Sequence, residues 1–291
     1  MGSHLPGGSG TKRAQRVLIE GDIGLRQYMQ RVYNYMGGGL VLTGLIAYFG
    51  ATSGFYASVA GTPIFWAVLL APLGLVLFLS LRIQRMSLGA AQISFWAYAA
   101  LVGLSLSGFF LVYTGESIAR VFFISAATCG ATSLYGYTTR ADLSRFGSFL
   151  FMGLIGVVIA GLVNIFVASS AVQFAVSVIG VLVFTGLTAY DTQRIRDFYI
   201  AGEDDMIAGK KAIMGALALY LDFLNLFLML MQLFGNRRRQ ATQQTRRGDA
   251  LWQKFEGQIA SRRSMRNMRH RCAGRGSIWR NSSGTSSSTA T

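Results

Sequence analysis

Asp191 and Asp222 are the only acidic side chains inside apolar stretches long enough to cross a bilayer. Asp191 closes the run SVIGVLVFTGLTAYDTQ, and Asp222 sits inside ALALYLDFLNLFLMLMQLFG. A charge at the centre of a membrane helix costs about 2.5–3.5 kcal/mol on insertion scales, so an aspartate kept there points to a function. Two carboxylates within hydrogen-bonding distance cannot both ionise cheaply; they share a proton and titrate as a coupled pair. Such a pair suits sensing pH, binding a cation when ionised, or acid–base chemistry.

At about 100° per residue, Asp222, Asn225, Met229 and Gln232 share one face of a helix. Thr185, Thr188, Asp191 and Thr192 form a similar stripe on the preceding span. Lipid would leave both stripes unsatisfied, so they are expected to face each other inside a bundle. Asn225 and Thr188 then become neighbours of the acidic pair. Asp222 lies about 16 Å into its helix, near the bilayer midplane, with Asp191 closer to one end. Arg82, and with it Arg85, is the expected cationic partner, since the second and sixth spans end on the same side. The plainer alternative is that each aspartate pins helix packing and that both arginines are ordinary interfacial anchors.

The elements that must position these residues follow from charge-free intervals. The 291-residue chain is 52% hydrophobic and only 13% charged, about half the charge of a soluble domain. Residues 32–81, 86–115, 121–139 and 146–190 carry no charge, and 212–236 carry only Asp222. At about 20 residues per crossing these intervals hold seven helices: 32–53, 64–81, 89–113, 118–138, 147–167, 171–195 and 211–234. Ser53-Gly54, Thr62-Pro63 and Ala168-Ser169-Ser170 supply the breaks. The predicted class is an all-α integral membrane protein with three parts. These are an N-terminal arm (1–31), a seven-helix domain (32–235) and a basic tail (236–291) that reads as disordered. The glycines within the spans, among them Gly37, Gly44, Gly103 and Gly156, are expected to let helices approach closely.

Basic residues fix the expected orientation. The arm carries Lys12, Arg13, Arg16, Arg26 and Arg31, and alternate connections carry Arg82, Arg85, Arg140, Arg145, Arg194, Arg196, Lys210 and Lys211, whereas the intervening ones hold Arg120 alone. The N-terminus is therefore expected in the cytoplasm. Seven crossings would place the basic tail outside, which leaves three options: a translocated tail, a re-entrant last segment, or a tail foreign to the fold. No apolar region occupies the first 30 residues, so the first span itself is expected to direct insertion. The only histidines are His4 and His270, which excludes a Ser-His hydrolase or a histidine relay within the bilayer. No nucleotide-binding fingerprint follows a strand, and neither a cofactor nor a nucleic-acid partner is expected.

With these residues set out, the chain resembles bacterial members of the Bax-inhibitor transmembrane family. The resemblance rests on APLGLVLFLSLRIQRMS, VFTGLTAYDTQRI and GALALYLDFLNLFLMLMQLFGNRR, and it covers about residues 16–238. It implies seven helices with the last one central, surrounded by the other six. It also implies a pH-sensitive aspartate pair, Asp191 in AYDTQ and Asp222 in LYLDF, with Arg82 in LSLRIQ pairing with the first aspartate in a closed state. The implied activity is a cation leak of the bacterial inner (plasma) membrane, with calcium the ion that Asp191 and Asp222 would contact. Two departures stand out: the second span lacks the carboxylate that some relatives carry there, and the tail extends past the family's usual end.

Two other functions compete. A scaffold that modulates membrane-protein partners without transport would need the aspartates only for packing. An intramembrane aspartyl protease also sets two aspartates on consecutive helices, but its signature needs glycines just before the second, where this chain has Tyr220 and Leu221. A non-enzyme is the expectation.

Overall fold

Apolar runs of this length leave the backbone one way to satisfy its polar groups in lipid, which is the helix. The computed structural model describes residues 9–59 and 61–238, with side chains from Ile23 onward. Its α-helices are α1 (Ser9–Thr52), α2 (Phe55–Val59), α3 (Pro63–Arg82), α4 (Leu88–Val112), α5 (Gly115–Thr138), α6 (Ser144–Val167), α7 (Ser170–Asp197) and α8 (Asp205–Phe234). All but α2 are long and apolar enough to cross a membrane. Among the described residues the β content is one isolated bridge, Tyr113 to Arg237.

The helix ends follow local sequence chemistry. Ser87, Thr114 and Ser169 each accept a hydrogen bond from a backbone N–H in the first turn of α4, α5 and α7, satisfying one of the donors that a helix start leaves open. Pro63 opens α3, where its missing N–H costs nothing. At the α6–α7 break, Ala168 takes a left-handed conformation (φ 51°), and the Asn164 side chain accepts the Ser169 N–H at 3.1 Å. The helix that carries the first apolar run begins at Ser9, well before residue 32. Arg26 and Arg31 ride on the helix instead of ending it, so a charge-free interval marks an apolar run and not the full helix that carries it. The short α2 fills a connection that the sequence marked only by its turns.

α8 is the most buried crossing, with 67% of its apolar window enclosed against 6% for α3 and for α6. It packs on α7, α1, α5 and α4, while α3 lies on α4 and α6 lies on α7. Most apolar side chains of α3 and α6 have no protein to cover them, and in a bilayer those face acyl chains. α8 is unbroken, and it ends where Thr114 N–H donates to Asn236 O (3.1 Å) and Asn236 N–H donates to Ser117 Oγ (2.9 Å). Its start lies at the other end of the bundle, where Lys210 Nζ donates to Gln84 O (3.4 Å). α8 therefore runs unbroken from one end of the bundle to the other, with no re-entrant turn within it. The compact unit ends at Arg237, and the tail from residue 239 on lies outside the described residues.

Because lipid is as apolar as leucine, helices in a bilayer are held by close packing and polar contacts rather than by water exclusion. Gly103 brings α4 against α1, where an added Cβ would meet Thr43 O at 2.8 Å. Gly136 brings α5 against the backbone of Ala189 in α7. Gly37, Gly44 and Gly156 face open space, so the packing role expected of them is not met. These two classes give opposite expectations. Gly136→Ala, which forces a Cβ against backbone, should destabilise the protein by about 1–3 kcal/mol. Gly156→Ala should be neutral or stabilising by up to about 1 kcal/mol. Thermal unfolding in detergent would show the two variants moving apart.

Candidate functional site

A ladder of contacts between α7 and α8 sets the register in which the aspartates meet. Ser177 Oγ donates to Gln232 Oε1 at 2.8 Å, Met229 lies over Gly180, and Ile195 lies over Gly215. At the end of the ladder, Lys211 Nζ donates to Phe198 O at 3.2 Å and to Glu203 Oε1 at 2.7 Å. In this antiparallel register Asp222 stands about one turn from the level of Asp191; each side chain leans toward the N-terminus of its own helix, and so toward the other, and the carboxyl groups come within hydrogen-bonding reach.

Both carboxylates line one cavity of about 570 Å³. Its walls are Gly147, Ser148, Phe151 and Leu154 of α6, then Phe184, Leu187, Tyr190, Asp191 and Arg194 of α7, then Ala218, Leu221, Asp222 and Asn225 of α8. Asp222 is buried and Asp191 half-buried. Asp222 Oδ2 is the one buried side-chain polar atom among the described residues with no hydrogen-bond donor. An oxygen in that position calls for an explanation, since most such atoms are paired.

The expected neighbours fare differently. Asn225 lines the cavity, with its amide nitrogen donating to Leu221 O at 2.9 Å. Thr188 is buried on the other flank of α7, where its hydroxyl donates to Phe184 O at 2.8 Å. Arg82 is exposed at the end of α3 and has no ion pair among the described residues. The reason is that α3 packs on α4 rather than on α7. The cation set beside Asp191 is Arg194, one helical turn on, whose guanidinium also lies 5.2 Å from the centre of the Phe198 ring.

Sequence reasoning missed the role of the rest of AYDTQRIR. Gln193 uses both ends of its amide: Leu143 N–H donates to its Oε1, and its Nε2 donates to Ala141 O, each at 2.8 Å. Arg196 donates to Tyr137 O at 2.6 Å, closing the end of α5. Asp142, in the connection thus held, has its carboxyl drawn below the ordinary carboxylate range, chiefly by the Ser144 side chain and then by the Ser144 N–H. The signal was in the sequence: a polar Gln and an Arg at one-turn spacing beyond Asp191, at a helix end that faces a short polar connection.

The molecule is thus a seven-helix membrane protein with an acidic pair in a cavity between its last three helices. Residues 25–239 match the family described as inhibitor of apoptosis-promoting Bax1, and the chain belongs to that family. It is 52% identical over 219 residues to a protein of Rickettsia prowazekii, covering 75% of this chain and 92% of that one. It is 48% identical over 225 residues to the inner membrane protein YbhL of Escherichia coli K12, covering 76% and 96%. A protein of Caulobacter vibrioides is 42% identical over 238 residues, covering 77% and 94%.

The Gln193 clamp gives a direct expectation. Gln193→Leu leaves Leu143 N–H and Ala141 O to water alone, at a cost of about 0.5–1.5 kcal/mol. Hydrogen exchange should speed up at residues 141–147 and stay unchanged at the end of α4.

Proposed function

We propose that this protein is a pH-sensitive cation leak of the bacterial inner (plasma) membrane, with calcium as permeant ion and the Asp191–Asp222 pair as its proton-dependent gate. The observation that carries the reading is the unpartnered Asp222 oxygen, buried in a cavity that the Asp191 carboxylate also lines. Two carboxylates so placed repel when both are ionised; a proton or a cation between them relieves the repulsion. The proton count of the pair therefore biases how α7 packs against α6 and α8. If one packing arrangement holds one more proton than the other, their ratio shifts up to about tenfold per pH unit.

Cation passage fits the donor set. Among the described residues no group of three His, Cys, Asp or Glu side chains converges. Two carboxylates with Asn225 beside them make a sparse oxygen set, suited to an ion in transit rather than to a resident cofactor. The kinship to an inner membrane protein supports the location, and the Lys and Arg distribution supports a cytoplasmic N-terminus. The protein acts as a passage, not as an enzyme. The protease reading is disfavoured because Tyr220, where that signature wants glycine, is fully buried with its hydroxyl 2.6 Å from Thr43 Oγ1.

The test is calcium and potassium flux into proteoliposomes from pH 5 to 8. Wild type should show a pH-dependent flux, and Asp191→Asn and Asp222→Asn should each flatten that dependence. Folded wild type that passes no cation at any pH would overturn the leak and leave a scaffold for membrane-protein partners. An unchanged pH profile in both variants would make the aspartates packing residues.

A further inference from the structure

A second cavity, of about 490 Å³, lies on the far side of the bundle between α1 and α5. α1 packs on α4 and α8, whereas α5 packs on α7 and α8, so the two helices splay apart and leave a groove. The α1 wall is Arg26, Met29, Gln30 and Tyr33; the α5 wall is Gly130, Ser133, Leu134 and Tyr137. Each set follows the i, i+3, i+4, i+7 pattern of one helix face. A single polar bridge crosses the groove floor, Tyr33 OH to Ser133 Oγ at 2.6 Å. Ser133 Oγ is in turn 2.8 Å from Thr192 Oγ1, which donates to Thr188 O. The hydroxyl protons therefore run inward, from Tyr33 to Ser133 to Thr192.

The groove is graded in polarity along the bilayer normal. Arg26 and Gln30 sit at its shallow end, just before the charge-free run that begins at Val32. Gly130 and Leu134 form the deeper α5 wall, and an added Cβ at Gly130 would meet nothing within 4 Å. Arg26 is exposed and has no ion-pair partner among the described residues. An exposed guanidinium just outside a charge-free apolar run, with an amide one turn on, is a phosphate-binding arrangement. An apolar trough leading from it toward the bilayer centre suits an acyl chain.

We propose that this groove binds a phospholipid with an anionic headgroup, its phosphate on Arg26 and Gln30 and one acyl chain against Gly130 and Leu134. The assignment stands apart from the cation-leak reading and uses none of the residues of the acidic cavity. It has a mechanical consequence all the same. The lipid would lie against Tyr33 and Ser133, and Ser133 is bonded to Thr192, the residue that follows Asp191.

Native mass spectrometry of the full chain in mild detergent tests it, with phosphatidylglycerol and phosphatidylcholine supplied in equal amounts. Wild type should retain one phosphatidylglycerol in preference to phosphatidylcholine. Arg26→Gln should keep a lipid but lower the headgroup preference about tenfold, the worth of one charge-assisted hydrogen bond. Gly130→Leu, whose side chain enters open space, should lose the lipid, while Gly156→Leu on α6 should keep it. Equal retention of phosphatidylglycerol by Gly130→Leu and wild type would overturn the proposal, as would a wild type with no headgroup preference. Displacement of the lipid by inorganic phosphate would reassign the groove to a free anion. A change of oligomeric state in Gly130→Leu would reassign it to a second copy of the chain.

Discussion

A polar group inside a bilayer has no water to fall back on, and the placement of α8 depends on that constraint. Three of the helix's polar side chains are met from two sides, one by α1 and two by α7. Tyr220 reaches α1, where Thr43 passes the connection on to Ala99 O of α4 at 2.9 Å. Gln232 meets Ser177 of α7. Asp222 meets Asp191, and there an acceptor faces an acceptor. The first two contacts fix the rotation and height of α8. The third leaves Asp222 Oδ2 as the one buried side-chain polar atom among the described residues without a hydrogen-bond partner.

Much of this was legible in the residues, for reasons of scale. A crossing needs some twenty apolar residues, so charge-free intervals reveal seven helices even when each boundary drifts. The drift was largest in α1, because Arg26 and Arg31 belong to a helix turn and not to a loop. The α8 face bearing Asp222, Met229 and Gln232 was correctly expected to meet α7. The α7 stripe was less legible. Thr188 and Thr192 stand about 60° and about 100° around the helix from Asp191, and their hydroxyls turn toward the α7 backbone and α5 instead of α8. A residue with a hydroxyl bonds its own helix as readily as a neighbour's, so periodicity alone does not decide which way it faces.

Arg82 shows a different limit. Its matching sequence context and shared bundle end argued for a pair with Asp191, but both conditions concern height along the bundle, not position around it. Position around the bundle depends on which helices touch, and α3 touches α4. Arg194 stands closer in sequence and needs no third helix to arrive. Local geometry therefore supplies the counter-charge, and a contact between α3 and α7 would have to form before Arg82 could compete for it.

α7 is the element that touches both cavities. One flank presents Asp191, Tyr190 and Arg194 to the acidic cavity; the other is tied through Thr192 to Ser133 and Tyr33 on the groove between α1 and α5. Its end is clamped by Gln193 and Arg196 to the connection that begins α6. A rotation of α7 small enough to keep its packing would alter the spacing of the carboxylates, and it would also strain the Thr192–Ser133 bond and pull on α6. These ties lie on different sides of one helix, so a rotation of α7 would bear on the walls of both cavities at once. A helix free on one side could relax without the other side registering it; α7, held on three sides, cannot.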